Sequence, residues 1–71
     1  MQDLRERAAE LPLLPGVYLY KDAYDTVIYV GKAKNLRHRV RSYFSDERLA
    51  DSKTGTLISE ARTIDFIQVD I

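Results

Sequence analysis

The chemistry open to this 71-residue chain is set by five tyrosines, eleven lysines and arginines, one histidine and no cysteine. Without cysteine there is no thiolate nucleophile, no disulfide staple and no thiolate metal site. A single histidine cannot build a zinc site of the usual kind. No Ser-His-Asp or Cys-His arrangement is available. What remains is a phenol beside fixed cations. Residues 32–41, KAKNLRHRVR, hold Lys32, Lys34, Arg37, Arg39 and Arg41 with no acid, plus His38. A free tyrosine, with a pKa of about 10, is a poor base at neutral pH. Nearby positive charge favours the phenolate and lowers that value. Such a tyrosine could take a proton from water, while guanidinium and ammonium groups stabilise charge building on a phosphate. These parts suit hydrolysis of a phosphodiester.

Each residue also has a plainer use. The basic run can be a solvated helix face, or a helix that docks on a nucleic-acid backbone and does no chemistry. Tyr18 and Tyr29 can be strand aromatics that only pack, the use assigned here to Tyr20 and Tyr24. Gly16 and Gly31 can serve tight turns or close backbone approach. Arg39 can pair with a surface carboxylate, His38 can simply face solvent, and Lys53 can do no more than bias a loop.

The elements must decide. Leu4, Ala8 and Leu11 recur at i, i+4, i+7, which predicts a helix over 3–10 with Asp3 as its cap. Pro12 and Pro15 end it. GVYLYK, 16–21, reads as a strand, 22–25 as a turn, and TVIYV, 26–30, as the second strand of an antiparallel hairpin closed by Gly31. A helix over 35–43 has Asn35 as cap and Leu36, Val40 and Phe44 as its apolar line. SDERLADS, 45–52, reads as a polar loop. A second basic-to-apolar helix spans 53–62, with Leu57, Ile58 and Ala61 buried and its first turn weakened by Gly55. Residues 64–71 alternate, with Ile67, Val69 and Ile71 on one face. The order α-β-β-α-α-β is an α+β domain with a small three-stranded antiparallel sheet flanked by helices. A domain this small buries roughly 60% of its unfolded surface.

These elements can gather the chemistry. Arg39 and Tyr43 lie one helical turn apart. If the backbone at Lys32 joins the helix, Lys32, Arg39 and Tyr43 fall within about 40° of one another. Their stripe then meets Tyr18 and Tyr29, provided the hairpin register puts both phenols on one face.

The composition is ordinary for a globular domain, with 45% apolar and 31% charged residues. The net charge is zero, but outside 32–41 six basic residues face eleven acidic ones. One concentrated basic stretch on a neutral protein marks a local binding surface. No apolar run is longer than Val27 to Val30, too short to span a membrane. The charged N-terminus lacks the apolar segment of a secretory signal, so the expected setting is the reduced cytoplasm.

Gly16-Val17-Tyr18 and Tyr29-Val30-Gly31 resemble the paired signature of the GIY-YIG nuclease superfamily. The longer stretch LPLLPGVYLYKDAYDTVIYVGKAKNLRHRVRSYF, 11–44, resembles the nuclease domain of UvrC-type excinucleases, and 53–71 fits more loosely. The resemblance implies one GIY-YIG domain over 1–71, with a three-stranded antiparallel sheet flanked by helices. It implies metal-dependent cutting of DNA, the incision on the 3′ side of a damaged nucleotide in excision repair. The implied partners are DNA and UvrB-like and UvrA-like repair proteins. By position, Tyr29 matches the tyrosine that activates water, and Tyr18 its assistant. Arg39 matches the arginine on the scissile phosphate, Lys32 a lysine suited to lowering a phenol pKa, and Tyr43 a further tyrosine near the phosphate. Gly31 matches the glycine that leaves room for substrate. Lys34, Arg37 and Arg41 would add backbone contacts.

Two departures stand out. The family commonly has glycine in the hairpin turn where this chain has Asp25, a residue that tolerates left-handed backbone well. The family also binds magnesium or manganese through a glutamate on a helix after the third strand. Glu6, Glu10, Glu47 and Glu60 all precede that strand, so the ligand is expected beyond Ile71 and the family's final helix is expected to be missing. The 71-residue chain is therefore expected to be truncated, to bind DNA weakly and to cut it poorly, with its uncovered sheet face favouring self-association.

Overall fold

The computed structural model describes residues 3–69. It contains α1 (Leu4–Glu10), β1 (Gly16–Lys21), β2 (Val27–Ala33), α2 (Leu36–Ser42), α3 (Asp46–Ala50), α4 (Ser52–Glu60) and β3 (Thr63–Gln68). The sheet order is β2-β1-β3 with both pairings antiparallel, so the fold is α+β as the sequence predicts. The expected burial of Ile71 lies outside the described residues.

Local chemistry sets the ends. Asp3 caps α1 by accepting from the Arg5 N–H at 2.8 Å. Asn35 caps α2 by accepting from the His38 N–H at 3.0 Å. The other leading N–H groups of α2 are met by the 11–15 connection. Leu36 donates to the Leu14 carbonyl and Arg37 to that of Pro12. The orphan donors of a helix start are thus spent on the segment that enters β1, which fixes α2 against the sheet. In the hairpin turn, Asp22 accepts from the Tyr24 and Thr26 N–H groups. Asp25 sits at φ 64°, the left-handed backbone expected of its position.

Three expectations are corrected. Residues 45–52 are not a loop but α3 and the start of α4. Ser45 caps α3, and Asp46 and Glu47 lie in its first turn, where carboxylates oppose the helix dipole favourably. No α3 residue is buried, so there was no apolar periodicity to reveal it. Gly55 is also more than a weak first turn: a Cβ there would press on the Leu49 carbonyl at 2.8 Å, so it permits the tight α3–α4 elbow. Finally, β3 buries the other parity. Ile64 and Phe66 pair with Tyr20 and Tyr18 on the core face, while Ile67 is 58% exposed.

The core gathers Ala8 and Leu11 from the α1 side, Leu36 and Val40 from α2, Ala61 after α4, and Tyr18, Tyr20 and Ile64 from the sheet. Arg7 ties α1 to β3 by donating its Nε–H to the Ile64 carbonyl at 2.8 Å.

Candidate active site

Side chains two residues apart on a strand share a face, so β1 presents Tyr18 and Tyr20 together. The register then places Tyr29 opposite Tyr20 and Gly31 opposite Tyr18. Tyr43, the C-cap of α2, closes the group from above the sheet. All six pairs among these four rings have centroids 5.3–6.4 Å apart. The Tyr18 and Tyr43 hydroxyls share a buried hydrogen bond of 2.7 Å. Tyr18 is only 3% exposed and Tyr20 fully buried, whereas Tyr29 is 43% exposed. Tyr29 is therefore the phenol of the cluster that water and a substrate can reach.

Gly31 has a reason that the sequence reading missed. A Cβ there would run into the ring of Tyr18. The space that the glycine leaves is filled by a tyrosine, not held open for substrate.

The electrostatics overturn one expectation. Clustered cations do not make a phenol acidic here. The pKa of Tyr29 is raised, chiefly by its interaction with the Tyr43 hydroxyl and then by partial burial; Arg48 and Arg39 pull it down but lose. Tyr43 is raised mainly by burial, with the Tyr18 hydroxyl adding to it. Tyr20 is pushed up by burial first. Several phenols packed together disfavour a phenolate more than two guanidiniums favour one. At neutral pH Tyr29 is a neutral phenol, able both to donate and to accept a hydrogen bond.

The basic residues separate into three groups. Arg39 lies close enough to act on the charge of Tyr29. Lys32 does not continue α2: it lies in β2, paired with Val17 and level with Ile67, on the side of the sheet away from Tyr18. With Lys34, His38 and Arg39 it lines a cleft of about 760 Å³ where the N-terminal end of α2 meets the sheet. Arg37 is half-buried and donates its Nε–H to the Leu11 carbonyl at 2.6 Å, so it braces the fold. Arg41 lies with Arg5 and Phe44 beside α1. The structure thus joins Tyr18, Tyr29, Tyr43, Gly31 and Arg39; it puts Lys32 and Lys34 at a neighbouring cleft, and Arg37 and Arg41 elsewhere. Tyr20 is a core residue, as expected. Tyr24, at 89% exposed, does not pack.

Arg48 was missed. Its guanidinium lies over the Tyr43 ring, 4.6 Å from the centroid, and lowers the pKa of three of the phenols. It belongs to α3, the helix read from sequence as loop; the Ser-Asp-Glu-Arg cap signature was the signal that could have found it.

A divalent cation fits this set of residues poorly. Among the described residues no three His, Cys, Asp or Glu side chains gather as ligands. The carboxylates that line the same cleft as Tyr29 are Asp51 and Glu60, and Asp51 is committed to capping α4 through the Thr54 N–H. No helix among the described residues is long and apolar enough to cross a membrane.

Comparison with known proteins follows this geometry. Residues 14–71 match the model of the UvrC-like GIY-YIG domain. UvrABC system protein C from Solibacter usitatus is 65% identical over 68 residues, covering 96% of this chain and 11% of its own length. The protein of that name from Streptococcus sanguinis is 58% identical over 57 residues, covering 80% of this chain and 9% of its own. The chain thus spans about a tenth of these relatives. The crystal structure of the GIY-YIG N-terminal endonuclease domain of UvrC from Thermotoga maritima, bound to magnesium as its catalytic divalent cation, superposes with a TM-score of 0.83 at 34% identity, covering 99% of this chain and 75% of that one.

Proposed function

The chain belongs to the UvrC-like GIY-YIG domain family, and from that premise we propose that it is the DNA-cutting domain of an excision-repair nuclease, hydrolysing a phosphodiester on the 3′ side of a damaged nucleotide. The observation that carries the reading is the solvent-reaching phenol of Tyr29, backed by the hydrogen-bonded Tyr18–Tyr43 pair and flanked by Arg39.

Each residue has a role in this reading. Arg39 holds the scissile phosphate and stabilises charge on its oxygens as the attacking bond forms. Tyr29, open to solvent, hydrogen-bonds the attacking water and accepts its proton while its own phenolic proton passes to solvent; the water oxygen bonds to phosphorus as the P–O bond to the leaving strand breaks, and the leaving oxygen takes a proton from solvent. A phenol with a raised pKa cannot do this from a standing population of phenolate, so proton loss and attack are coupled. Tyr18 and Tyr43 fix the ring of Tyr29 by packing, and their mutual hydrogen bond holds both hydroxyls in one geometry. Lys32 and Lys34 meet the backbone of the strand in the neighbouring cleft. Arg37 and Arg41 add at most peripheral charge.

Magnesium or manganese dependence is part of the proposal, with the carboxylate ligand supplied from outside this chain; no step above passes through the metal. The wider setting is cytoplasmic DNA repair alongside UvrB-like and UvrA-like proteins, within the damage response. In that setting the isolated 71-residue chain cuts poorly or not at all. A second reading, a basic module that binds DNA without cutting it, is favoured for the isolated chain by the raised phenol pKa values and the lack of a gathered carboxylate set among the described residues.

The test is a chimera in which this chain replaces the matching segment of the Solibacter relative. Nicking of damaged DNA is expected, with Tyr29→Phe reducing the rate by about 10²–10⁴-fold while leaving binding intact. A chimera that folds and binds DNA but never nicks it hands the case to the binding module.

A further inference from the structure

We propose that Arg48 is a second phosphate-holding residue, and that the cleft beside it, between β2 and α4, takes the sugar-phosphate strand on the far side of Tyr29 from Arg39. This rests on the nuclease reading above and extends it from one phosphate to two.

Several of the arginines are already committed within the fold. Arg7 donates to the Ile64 carbonyl and lies within ion-pair reach of Glu10 and Asp65. Arg37 is spent on the Leu11 carbonyl, and Arg62 on the carbonyls of Ser59 and Ala61. Arg5 and Arg41 stand together beside α1. That leaves Arg39 and Arg48, the two guanidiniums that act on the charge of Tyr29. Arg48 is half-buried. Among the described residues its guanidinium has no carboxylate or carbonyl partner, only the face of Tyr43. Desolvating a guanidinium without acceptors is costly. A guanidinium held over a ring face keeps its N–H groups for other acceptors, and a phosphate is an acceptor that can meet two of them at once.

The cleft suits the same ligand. It holds about 470 Å³; Tyr29, Tyr43, Arg48, Lys53, Thr54 and Thr56 line it together with the apolar Ile28 and Leu57. Asp51 and Glu60 also border it; Asp51 is occupied as the α4 cap. Arg39 lines the separate cleft of Lys32 and Lys34, so cationic side chains stand in both clefts that neighbour the tyrosine cluster. A strand held on both sides of the bond to be cut is positioned in two places, which fixes its orientation as well as its distance.

The experiment measures binding of a short DNA strand by the 71-residue chain across a salt series, for wild type, Arg39→Ala, Arg48→Ala, Arg48→Met and Arg48→Lys. Arg48→Ala is expected to weaken binding about tenfold. It should also flatten the log-affinity against log-salt slope by about 0.7–0.9, as Arg39→Ala does. Arg48→Lys should restore the slope but only part of the affinity. Arg48→Met keeps a stem over the Tyr43 ring, so it carries the test if Arg48→Ala fails to fold. If Arg39→Ala weakens binding while Arg48→Met binds with the wild-type slope, Arg48 is only a packing residue; the second site falls and the nuclease reading stands. If the folded wild type binds no DNA at any salt, both fall together.

Discussion

On one face of the sheet, Tyr18, Tyr20 and Ile64 are buried beneath α1 and α2, with Tyr29 at the margin. On the other face, Val30 and Ile67 stay 53% and 58% exposed, alongside Val17, Leu19 and the Lys21–Asp65 ion pair of 2.7 Å. The open face mixes Val17, Leu19, Val30 and Ile67 with Lys21, Lys32 and Asp65, whereas the tyrosine face carries no charge, and strand parity assigns each residue to one or the other. The difference lies in what the large rings need. Four phenols pack only because Gly31 removes a side chain under Tyr18 and Tyr43 arrives from a helix. The bare face asks for no such fit and so specifies little.

The sharpest way to break this contrast is at neighbouring positions of β2. Gly31→Ala is expected to destabilise the domain by about 2 kcal/mol, because the buried Tyr18 ring must shift within a cluster of four packed rings. Val30→Thr, one residue away on the open face, should stay within about 0.5 kcal/mol. Urea titrations of both variants decide it, and equal effects would show that the tyrosine face is no more demanding than the bare one.

Within the tyrosine face, two conservative changes should have opposite signs. Tyr18→Phe removes the partner of the Tyr43 hydroxyl and should cost about 1 kcal/mol. Tyr20→Phe removes a buried hydroxyl that has no partner among the described residues and should stabilise by about the same amount. The pH dependence follows. The folded state raises the pKa of Tyr20, so the neutral phenol contributes stability that is full below the unfolded value of about 10 and is lost as pH climbs above it. Thermal melts should therefore fall steeply above about pH 10, and Tyr20→Phe should blunt that fall. Lys21, raised mainly by its hydrogen bond to Asp65, loses stability in the same direction, but the pair is solvent-screened and its removal should leave the alkaline limb in place.

The smallest effect on stability is expected at Ile67→Lys, within about 0.5 kcal/mol. Its effect on association should be larger. An apolar sheet face left open is expected to pair with a second copy at high concentration, and a charge at its centre should shift sedimentation toward monomer. A wild-type chain that sediments as a monomer at every concentration would remove the case for self-association.

Much of this was legible from residue order. The caps at Asp3 and Asn35, the hairpin and the strain-tolerant Asp25 all follow from local chemistry that needs no knowledge of the rest of the chain. The two short signatures, three residues each, were enough to nominate Tyr18, Tyr29 and Gly31. Other features were hidden for identifiable reasons. Helix α3 is only five residues long and buries none of them, so periodicity had nothing to register, and Arg48 went with it. Lys32 was drawn toward α2 by its spacing from Arg39, whereas β2 runs on through Ala33 because its backbone pairs with β1 as far as Gly16.

By itself, the sequence determined which groups could do the chemistry: phenols and cations, with no thiol and a single imidazole. It also determined the strand and helix segments that carry them, because caps, turns and side-chain alternation act over a few residues. Only the tertiary structure decided what those groups become. It brought a fourth tyrosine into the cluster, gave the space above Gly31 to Tyr18, spent Arg37 on a carbonyl and left Arg48 free. It also reversed the expected direction of the phenol pKa shifts. Proton affinity and hydrogen-bond commitment depend on neighbours within a few ångströms and on exclusion of water, and those are properties of packing across distant parts of the chain.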